Sequence, residues 1–269
     1  MLEPIQNLID HLINYKDAVI LVGNDAVKEM FLFQPTENNK DFYCRKALSK
    51  TPKEFWDFYK INILSNISTQ HKNEAQKQIE KLIDLNIAKA LVDLNCDGYL
   101  SETTLDYMPL RGNRLKLLCS KCHKQLDLDI NKILVVNEVL NHDDYEENYE
   151  CNGKIIPTIP FYGSKSYDNK LLDNLYNNIF VRDGVNFIGL NTHTLIFIGI
   201  DFQEDLLHDI AMSFNLLKAK ESKEKGEKFY TVFITDHNED DLEFYKADFG
   251  TIDNISESIE RLIKLIKGE

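Results

Sequence analysis

The sequence predicts an α/β fold: a doubly wound, Rossmann-like parallel sheet with a small inserted zinc-ribbon-like module and a helical insertion. Residues 18–22, 90–92 and 230–234 have the continuous hydrophobicity of strands buried on both faces of a parallel sheet. Segments with helical periodicity separate these strands, an alternation typical of parallel sheets. A Cys-x-x-Cys pair at residues 119–122 marks the inserted module.

The composition limits the class of protein. The chain has 269 residues, of which 43% are hydrophobic and 28% are charged, and its formal net charge is −13. This length predicts one or two domains with a core that needs no disulfides. The acidic balance argues against nucleic acid and anionic membranes as partners, and it leaves basic, lysine-rich proteins as candidates.

The location of the protein is predicted from what the sequence lacks. No run of about 18 apolar residues occurs, so we predict no membrane span. The first residues have neither the basic nor the apolar region of a signal peptide. Five cysteines, an odd number, then indicate reduced thiols and a cytoplasmic location.

The first part of the chain predicts one βα unit followed by the helical insertion. Residues 2–15 have the apolar spacing of a helix with one buried face. The strand over residues 18–22 runs into a turn at Gly23 and a helix from Val27, which is how a dinucleotide-binding unit begins. Residues 32–67 are helical and rich in aromatic side chains, which we interpret as core or interface residues.

The next predicted strand ends in the first candidate site. An amphipathic helix over residues 69–85 precedes the segment 89–98, whose apolar run ends in Asn95, Asp97 and Gly98. Ligands of open α/β sheets bind just beyond the carboxyl ends of strands. The tip is therefore a candidate binding site. The alternative is an ordinary turn, in which the side chains cap the strand end by hydrogen bonds to the backbone.

The rest of the chain divides into an insertion and a return to the sheet. We predict that residues 105–161 form the inserted module and that residues 1–104 and 162–269 form the Rossmann-like core. Residues 221–228 are interpreted as a solvated run of charges. The predicted helices and strands of the returning half are residues 171–180, 195–199, 206–217, 230–234 and 255–266.

Three cysteines in the insertion are candidate metal ligands. The two-residue spacing of Cys119 and Cys122 lets both thiolates face one zinc ion, and Cys151 follows later in the chain. A structural zinc takes four ligands, so His142 or a carboxylate of the acidic loop over residues 141–150 would complete the set. The alternative is a module held by packing, with three idle thiols.

The turn after the first strand is a candidate phosphate site that carries an acidic residue. Such a turn needs exposed backbone amides and no negative charge nearby, yet Asp25 follows Gly23 and Asn24. At about 4 Å and an effective dielectric near 20, a carboxylate and a phosphate repel by roughly 4 kcal/mol per unit charge. Asp25 could instead turn away and cap the following helix.

The order of these motifs resembles that of the sirtuins, which are NAD-dependent protein deacylases and ADP-ribosyltransferases. The resemblance covers residues 18–265, and it depends on the order and spacing of several matches. The matching segments are Ala18–Ala26 against a Gly-Ala-Gly-x-Ser turn, Phe55–Tyr59, Asn95–Gly98 against Thr-Gln-Asn-x-Asp-Gly, Arg111-Gly112 against His-Gly, Cys119–Cys122, Cys151–Gly153, Ile156-Pro157, Phe161–Gly163 and Ile196–Gly199.

The resemblance implies cofactors, partners and site residues. It implies NAD bound by five residues of the strand tips, an acyl-lysine protein as partner, and zinc on Cys119, Cys122 and Cys151. It also places Asn95 and Arg111 at catalytic positions. The cofactor-binding residues that it implies are Gly23, Asn24, Asn95, Asp97 and Gly199.

Two departures from the family pattern predict weakened or lost deacylation. Gly23-Asn24-Asp25 replaces Gly-Ala-Gly in the phosphate turn, and Arg111 replaces the catalytic histidine. In the family, that histidine acts as a base on the NAD ribose. A guanidinium stays protonated at physiological pH and cannot accept a proton.

Two other functions remain open from the sequence. The chain could transfer ADP-ribose to proteins, with Arg111 stabilising the departing or attacking group while Asn95 and Asp97 hold the nicotinamide. It could also be a non-catalytic interaction module, whose acidic surface and aromatic helical region recruit a basic partner.

Overall fold

The computed structural model describes residues 2–27, 37–67, 71–146, 150–159, 161, 169–183, 186–200, 205–236 and 246–269. The helices are α1 (Leu2–Tyr15), α2 (Arg45–Lys50), α3 (Pro52–Asn62), α4 (Glu74–Ile83), α5 (Ile130–Leu134), α6 (His142–Tyr145), α7 (Asn169–Ile179), α8 (Asp205–Glu224) and α9 (Ile255–Lys267). The strands are β1 (Ala18–Val22), β2 (Ala88–Asp93), β3 (Asp106–Pro109), β4 (Lys116–Cys119), β5 (Gln125–Asp127), β6 (Ile155–Pro157), β7 (Phe180–Asp183), β8 (Asn186–Leu190), β9 (Thr194–Ile198), β10 (Tyr230–Thr235) and β11 (Phe249–Ile252).

The central sheet has six strands in the order β11-β10-β9-β1-β2-β3, and all its neighbours pair in parallel. The chain moves outwards from β1 through β2 to β3, and then outwards from β9 on the other side. This is the strand order of dinucleotide-binding folds, and its direction reverses between β1 and β9. The predicted doubly wound parallel sheet is confirmed, and the crevice at this reversal is where such folds bind ligands.

Two hydrophobic layers cover the sheet because successive strand residues face opposite sides. Ile20 and Val22 of β1 belong to one buried cluster with residues of α1, α4 and α9. Val19 and Leu21 belong to the other, with residues of α7 and α8. This explains why β1, buried at every position, is apolar throughout and shows no alternation.

A third core joins the helical insertion to the small antiparallel sheet β5-β4-β6. The fully buried aromatic residues Phe55, Trp56 and Tyr59 of α3 lie in one cluster with Leu117 and Cys119 of β4. The interpretation of the aromatic residues in this region as core residues is confirmed for these three and for Tyr43, whereas Phe42 is exposed. The helical insertion and the cysteine-containing sheet therefore depend on each other for burial.

Several local features differ from the predictions. β3 lies within the predicted insertion 105–161 but pairs with β2 in the large sheet, so the small sheet begins only at Lys116. The hairpin β7-β8 and the edge strand β11 have no counterpart among the predicted elements. Residues 28–31 of the helix predicted from Val27 lie outside the described residues, and Asn24–Val27 form a 3-10 turn.

The charged segment 221–228 is only partly the solvated run that we predicted. Helix α8 continues to Glu224, and Glu221 is buried with its carboxylate 2.6 Å from Nζ of Lys225. Among the described residues, none of the helices is both long enough and apolar enough for a membrane span.

Candidate functional site

Glycines bring the loops after β1 and β9 into direct contact at the point where the strand order reverses. The amide of Gly23 donates to the Ile198 carbonyl at 2.8 Å, and the amide of Asp25 donates to the Gly199 carbonyl at 2.9 Å. A Cβ on Gly23 would lie 2.3 Å from the Gly199 oxygen. Gly199 itself has φ +59°, and its Cβ would lie 2.3 Å from the Ala26 nitrogen. Only glycine allows so close an approach at either position.

This contact uses the backbone donors that a phosphate would need. The amides of Gly23 and Asp25 point at the chain's own carbonyls, and the Ala26 amide donates to the Gly23 carbonyl at 3.3 Å. Anion-binding turns instead aim their N–H groups at the ligand. Asn24 and Asp25 are half-buried in the same turn. The amides of Gly23, Asp25 and Ala26 in this turn are therefore already hydrogen-bonded within the protein, and the turn also carries the Asp25 carboxylate.

The tip of β2 lies beside this turn, as the sequence predicts. Asn95 is 1% exposed and donates from Nδ2 to the Gly23 carbonyl at 3.3 Å, whereas its buried Oδ1 has no hydrogen-bond partner among the residues described. Asp97 is also buried, and its carboxylate accepts from Nε2 of Gln76 at 2.8 Å and from the Tyr99 amide at 2.9 Å. The Asp97 carboxylate thus has the capping role of an ordinary turn, while Asn95 keeps an unused acceptor.

Helix α4 is held against the same tip by its first residues. Asn73 caps the helix by accepting from the Gln76 amide at 2.8 Å, and its Nδ2 donates to the Ala26 carbonyl at 2.7 Å. The Asn73 amide in turn donates to Oε1 of Gln76 at 3.1 Å, which completes a capping box. Because Gln76 also donates to Asp97, the first residues of α4 connect the turn after β1 with the tip of β2.

A second buried carboxyl group makes the tip electrostatically unusual. Asp93 ends β2 with no exposed surface, accepting from the Asn95 amide at 2.9 Å and from the Tyr107 hydroxyl at 3.0 Å. Burial, and next the negative charge of Asp97, raise the pKa of Asp93 to about 8. Burial also raises the pKa of Asp97. The pair therefore favours keeping a proton near neutral pH.

Two arginines follow β3 at this edge of the sheet. The chain stays beside β2 for one residue after β3, since the Leu110 amide donates to the Asp93 carbonyl at 2.9 Å. Arg111 is half-buried, and burial lowers its pKa while the nearby Cys96 opposes that effect. A guanidinium with an ordinary pKa above 12 remains a cation at neutral pH after such a shift.

Sequence patterns do not predict the role of Arg114. Its side chain is buried, donates from Nε to the Asp97 carbonyl at 3.3 Å, and lies 5.4 Å from the centre of the Tyr99 ring. Its Nη2 is buried and has no hydrogen-bond partner within the described part of the chain. The buried guanidinium of Arg114 therefore places a positive charge next to the β2 tip. Neither periodicity nor motif spacing predicts this position.

The cysteines of the insertion meet at a second candidate site. The donor atoms of Cys119, Cys122, Cys151 and His142 all lie within 4.8 Å of one another. Cys119 and Cys151 have their sulfurs 3.5 Å apart, and the Cys122 sulfur is 3.4 Å from Nδ1 of His142. Of the two fourth ligands that the sequence left open, a histidine or a carboxylate, the histidine is the one brought to the thiols.

Local structure holds these four donors together. The β4 strand ends at Cys119, and the turn after it returns the His123 amide to the Cys119 carbonyl at 3.0 Å. The amide of His142 donates to the Gly153 carbonyl at 2.7 Å. A Cβ on Gly153 would lie 2.2 Å from the Cys119 sulfur, so a glycine is needed there.

The surroundings of the cluster suit a metal. Nε2 of His142 lies 3.0 Å from a carboxylate oxygen of Glu146, which in turn is 2.6 Å from Nζ of Lys124. Such a carboxylate orients a ligating imidazole. The Lys124 amide lowers the pKa of Cys122 to about 6, which favours the thiolate that metals bind. Three thiolates and one imidazole form a closed set typical of structural zinc.

Comparison with known proteins gives solved structures alone. No family model matches the chain, and no curated protein matches it. A structure on sirtuin substrate affinity is 17% identical, with a TM-score of 0.69 over 97% of this chain and 98% of that one. A Sir2 bound to acetylated peptide is 17% identical (TM-score 0.66, 97% of both chains). A Sir2 homolog–NAD complex is 15% identical (TM-score 0.66, 98% and 94%).

Proposed function

We propose that this chain, which has the sirtuin fold, is a divergent relative of the NAD-dependent protein deacylases in which NAD binding and deacylation are weakened or lost. The observation that carries this proposal is the closed turn after β1. The amides of Gly23 and Asp25 donate to the carbonyls of Ile198 and Gly199, so they are not available to a pyrophosphate.

The charge at the turn adds to this loss. A pyrophosphate placed near Asp25 would meet a carboxylate, and at about 4 Å the repulsion is roughly 4 kcal/mol per unit charge. That energy corresponds to about three orders of magnitude in affinity. Asn95, with its unused buried acceptor, is the part of the pocket that could still receive the amide of nicotinamide.

The residue at the catalytic position argues in the same direction. Arg111 follows β3 at the edge of the sheet where Asn95 and Asp97 lie, and it cannot act as a base. General base catalysis contributes about 10²- to 10⁴-fold to a rate. Arg111 would instead attract an anion or an acyl oxygen, and the partner that the fold suggests is an acyl-lysine segment of a protein.

The test is NAD binding and deacetylation measured on the purified protein. We expect calorimetric titration to give a dissociation constant for NAD above about 1 mM, consistent with the lost affinity, and acetyl-lysine peptide to stay intact. Asp25→Gly should tighten NAD binding, and Arg111→His in the same chain should bring measurable turnover. Asp84→Asn, an exposed carboxylate at the end of α4, is the matched control.

Two outcomes would contradict the proposal. Robust deacetylation by the unchanged protein would show that Arg111 does not prevent the chemistry, and micromolar NAD binding would show that the turn opens. Transfer of radiolabel from NAD to protein, lost in Asn95→Ala, would instead favour the ADP-ribosyltransferase alternative.

The donor set of the insertion supports a structural zinc ion held by Cys119, Cys122, Cys151 and His142. The sulfur–sulfur and sulfur–nitrogen separations of 3.5 and 3.4 Å fit ligands that share one ion. The four protein ligands leave no open position for a substrate, so zinc would stabilise the module without taking part in a reaction.

Gly153→Ala tests this zinc assignment without removing a ligand. The added Cβ would approach the Cys119 sulfur to 2.2 Å, so the thiolate must move. We expect zinc affinity to fall by roughly 10- to 100-fold, as when other groups around a ligand are changed. Competition with a chromogenic chelator measures the change. Gly189→Ala, where a Cβ meets nothing within 4 Å, controls for the loss of a glycine, and equal affinities in the two variants would count against the assignment.

A further inference from the structure

A second group of side chains that can bind a metal lies at the amino-terminal ends of the central strands of the large sheet. His11 belongs to α1, Asp17 directly precedes β1, and His193 directly precedes β9. One donor atom from each lies within 4.8 Å of the other two. Because β1 and β9 pair in parallel, their amino ends meet here, at the far end of the strands from Gly23 and Gly199.

His11 carries the main observation. Its side chain is 8% exposed, and its Nε2 is buried with no hydrogen-bond partner in the described portion of the structure. A buried imidazole nitrogen without a partner is unfavourable, and such groups call for an explanation such as an unseen water or ion. Burial, and next the neighbouring His193, lower the pKa of His11.

His193 and Asp17 form the other side of the group. Nδ1 of His193 lies 2.7 Å from Oδ2 of Asp17, and the His193 amide donates to the same oxygen at 3.0 Å. Nε2 of His193 lies 3.9 Å from a carboxylate oxygen of Glu227. These contacts fix the ring of His193, and they add negative charge beside the two imidazoles.

Aromatic rings enclose the group. His11 stacks on Tyr15 with ring centres 4.1 Å apart, and it lies 4.9 Å from the ring of Tyr230. His193 stacks on Phe229 at 4.9 Å. Such a wall lowers the local dielectric, which strengthens the interaction between a cation and a carboxylate.

We propose that His11, Asp17 and His193 bind a divalent transition-metal cation, with Zn²⁺ as the best match. Two imidazoles and one carboxylate are a common ligand set for zinc, and imidazole ligands disfavour Mg²⁺ and Ca²⁺. Donors that share one tetrahedral zinc lie about 3.4 Å apart, given metal–ligand bonds of about 2.0 to 2.2 Å. From a spacing within 4.8 Å, binding would draw the three donors together by up to about 1.4 Å.

Packing alone accounts for part of this arrangement. The His193–Asp17 hydrogen bonds would hold the start of β9 against the start of β1 without a metal. They leave the buried Nε2 of His11 without a partner among the described residues, and a bound metal would supply one. The bound ion would fasten α1 to the amino edge of the sheet, independently of whether the NAD pocket or the cysteine cluster functions.

Zinc stoichiometry tests the proposal. The full chain is equilibrated by dialysis against buffered Zn²⁺, and bound zinc is measured by atomic emission. We expect two equivalents for the unchanged protein and one for His11→Gln. Asp17→Asn should also bind one, which guards against a folding defect peculiar to His11→Gln. His71→Gln, an exposed histidine outside both clusters, should bind two.

Spectroscopy separates the two sites. In Co²⁺ titrations the thiolate cluster gives sulfur-to-cobalt charge-transfer absorption, whereas the second equivalent should add none. We expect His11→Gln to weaken this second equivalent at least about 100-fold, because even groups outside the ligand sphere cost 10- to 100-fold. If the unchanged protein and His11→Gln bind the same number of equivalents, the assignment is wrong.

Discussion

Replacing Cys151 with serine is expected to release zinc and unfold the small antiparallel sheet together with the helical insertion. Cys119 and Cys151 of the cysteine cluster lie within one hydrophobic core that also contains Trp56, so losing the metal would weaken both the cluster and this core. For structural zinc, binding free energy is folding free energy. We expect the free energy of unfolding to drop by at least about 4 kcal/mol, which places this among the largest single-residue effects.

Trp56 gives a direct measurement of this change. It is the chain's one tryptophan and is fully buried, so exposure of the core should shift its fluorescence emission to longer wavelength. Cys44→Ser is the matched control, because Cys44 is outside the cluster and caps α2, a position that serine occupies well. Unchanged emission and melting temperature in Cys151→Ser would rule out a structural metal at the cluster.

Asp93→Asn is expected to remove much of the loss of stability that the protein suffers as the pH rises. Burial raises the pKa of Asp93 from its ordinary 3.8 to about 8, so between these values the folded state holds a proton that the unfolded state has released. The stability that depends on protonated Asp93 is fully present below about pH 4, and it is lost as the pH rises through about 8. Each pH unit in this range costs about 1.4 kcal/mol.

Urea unfolding at several pH values between 5 and 8 checks this prediction. The unchanged protein should lose up to roughly 4 kcal/mol across that range, whereas Asp93→Asn should lose much less, because asparagine cannot ionise but can still accept from the Asn95 amide. Asp84→Asn, with its exposed side chain, should keep the slope of the unchanged protein. The same slope in Asp93→Asn would mean that Asp93 is ionised throughout.

Much of the fold could be predicted because it is written in local patterns. The apolar runs of β1 and β10, the helical spacing of α1 and α9, and the Cys-x-x-Cys spacing each depend on neighbours within a few residues. β11 was missed because it is a short edge strand, half-exposed, whose four residues gain their order from pairing with β10. Pairing with a strand elsewhere in the chain leaves no pattern among the four residues of β11 themselves.

The candidate site divides in the same way. From the sequence came the tip residues Asn95 and Asp97, the acidic turn and the cationic Arg111, because residue type sets charge, proton affinity and turn preference. The choice between a binding role and a capping role for Asp97 needed Gln76, which lies 21 positions earlier and reaches the tip only through the placement of α4.

By itself, the sequence determined which chemical groups are present and which local structures they favour: a parallel α/β sheet, a cysteine module and a histidine replaced by Arg111. Only the tertiary structure decided which backbone amides and side-chain donor atoms have partners within the protein and which remain available to a ligand. In the tertiary structure, the amides of Gly23 and Asp25 donate to carbonyls at the end of β9 and just after it, and His142 lies beside the three thiols. It also gathered His11, Asp17 and His193, since such contacts arise from chain segments that pack together although they are far apart in sequence.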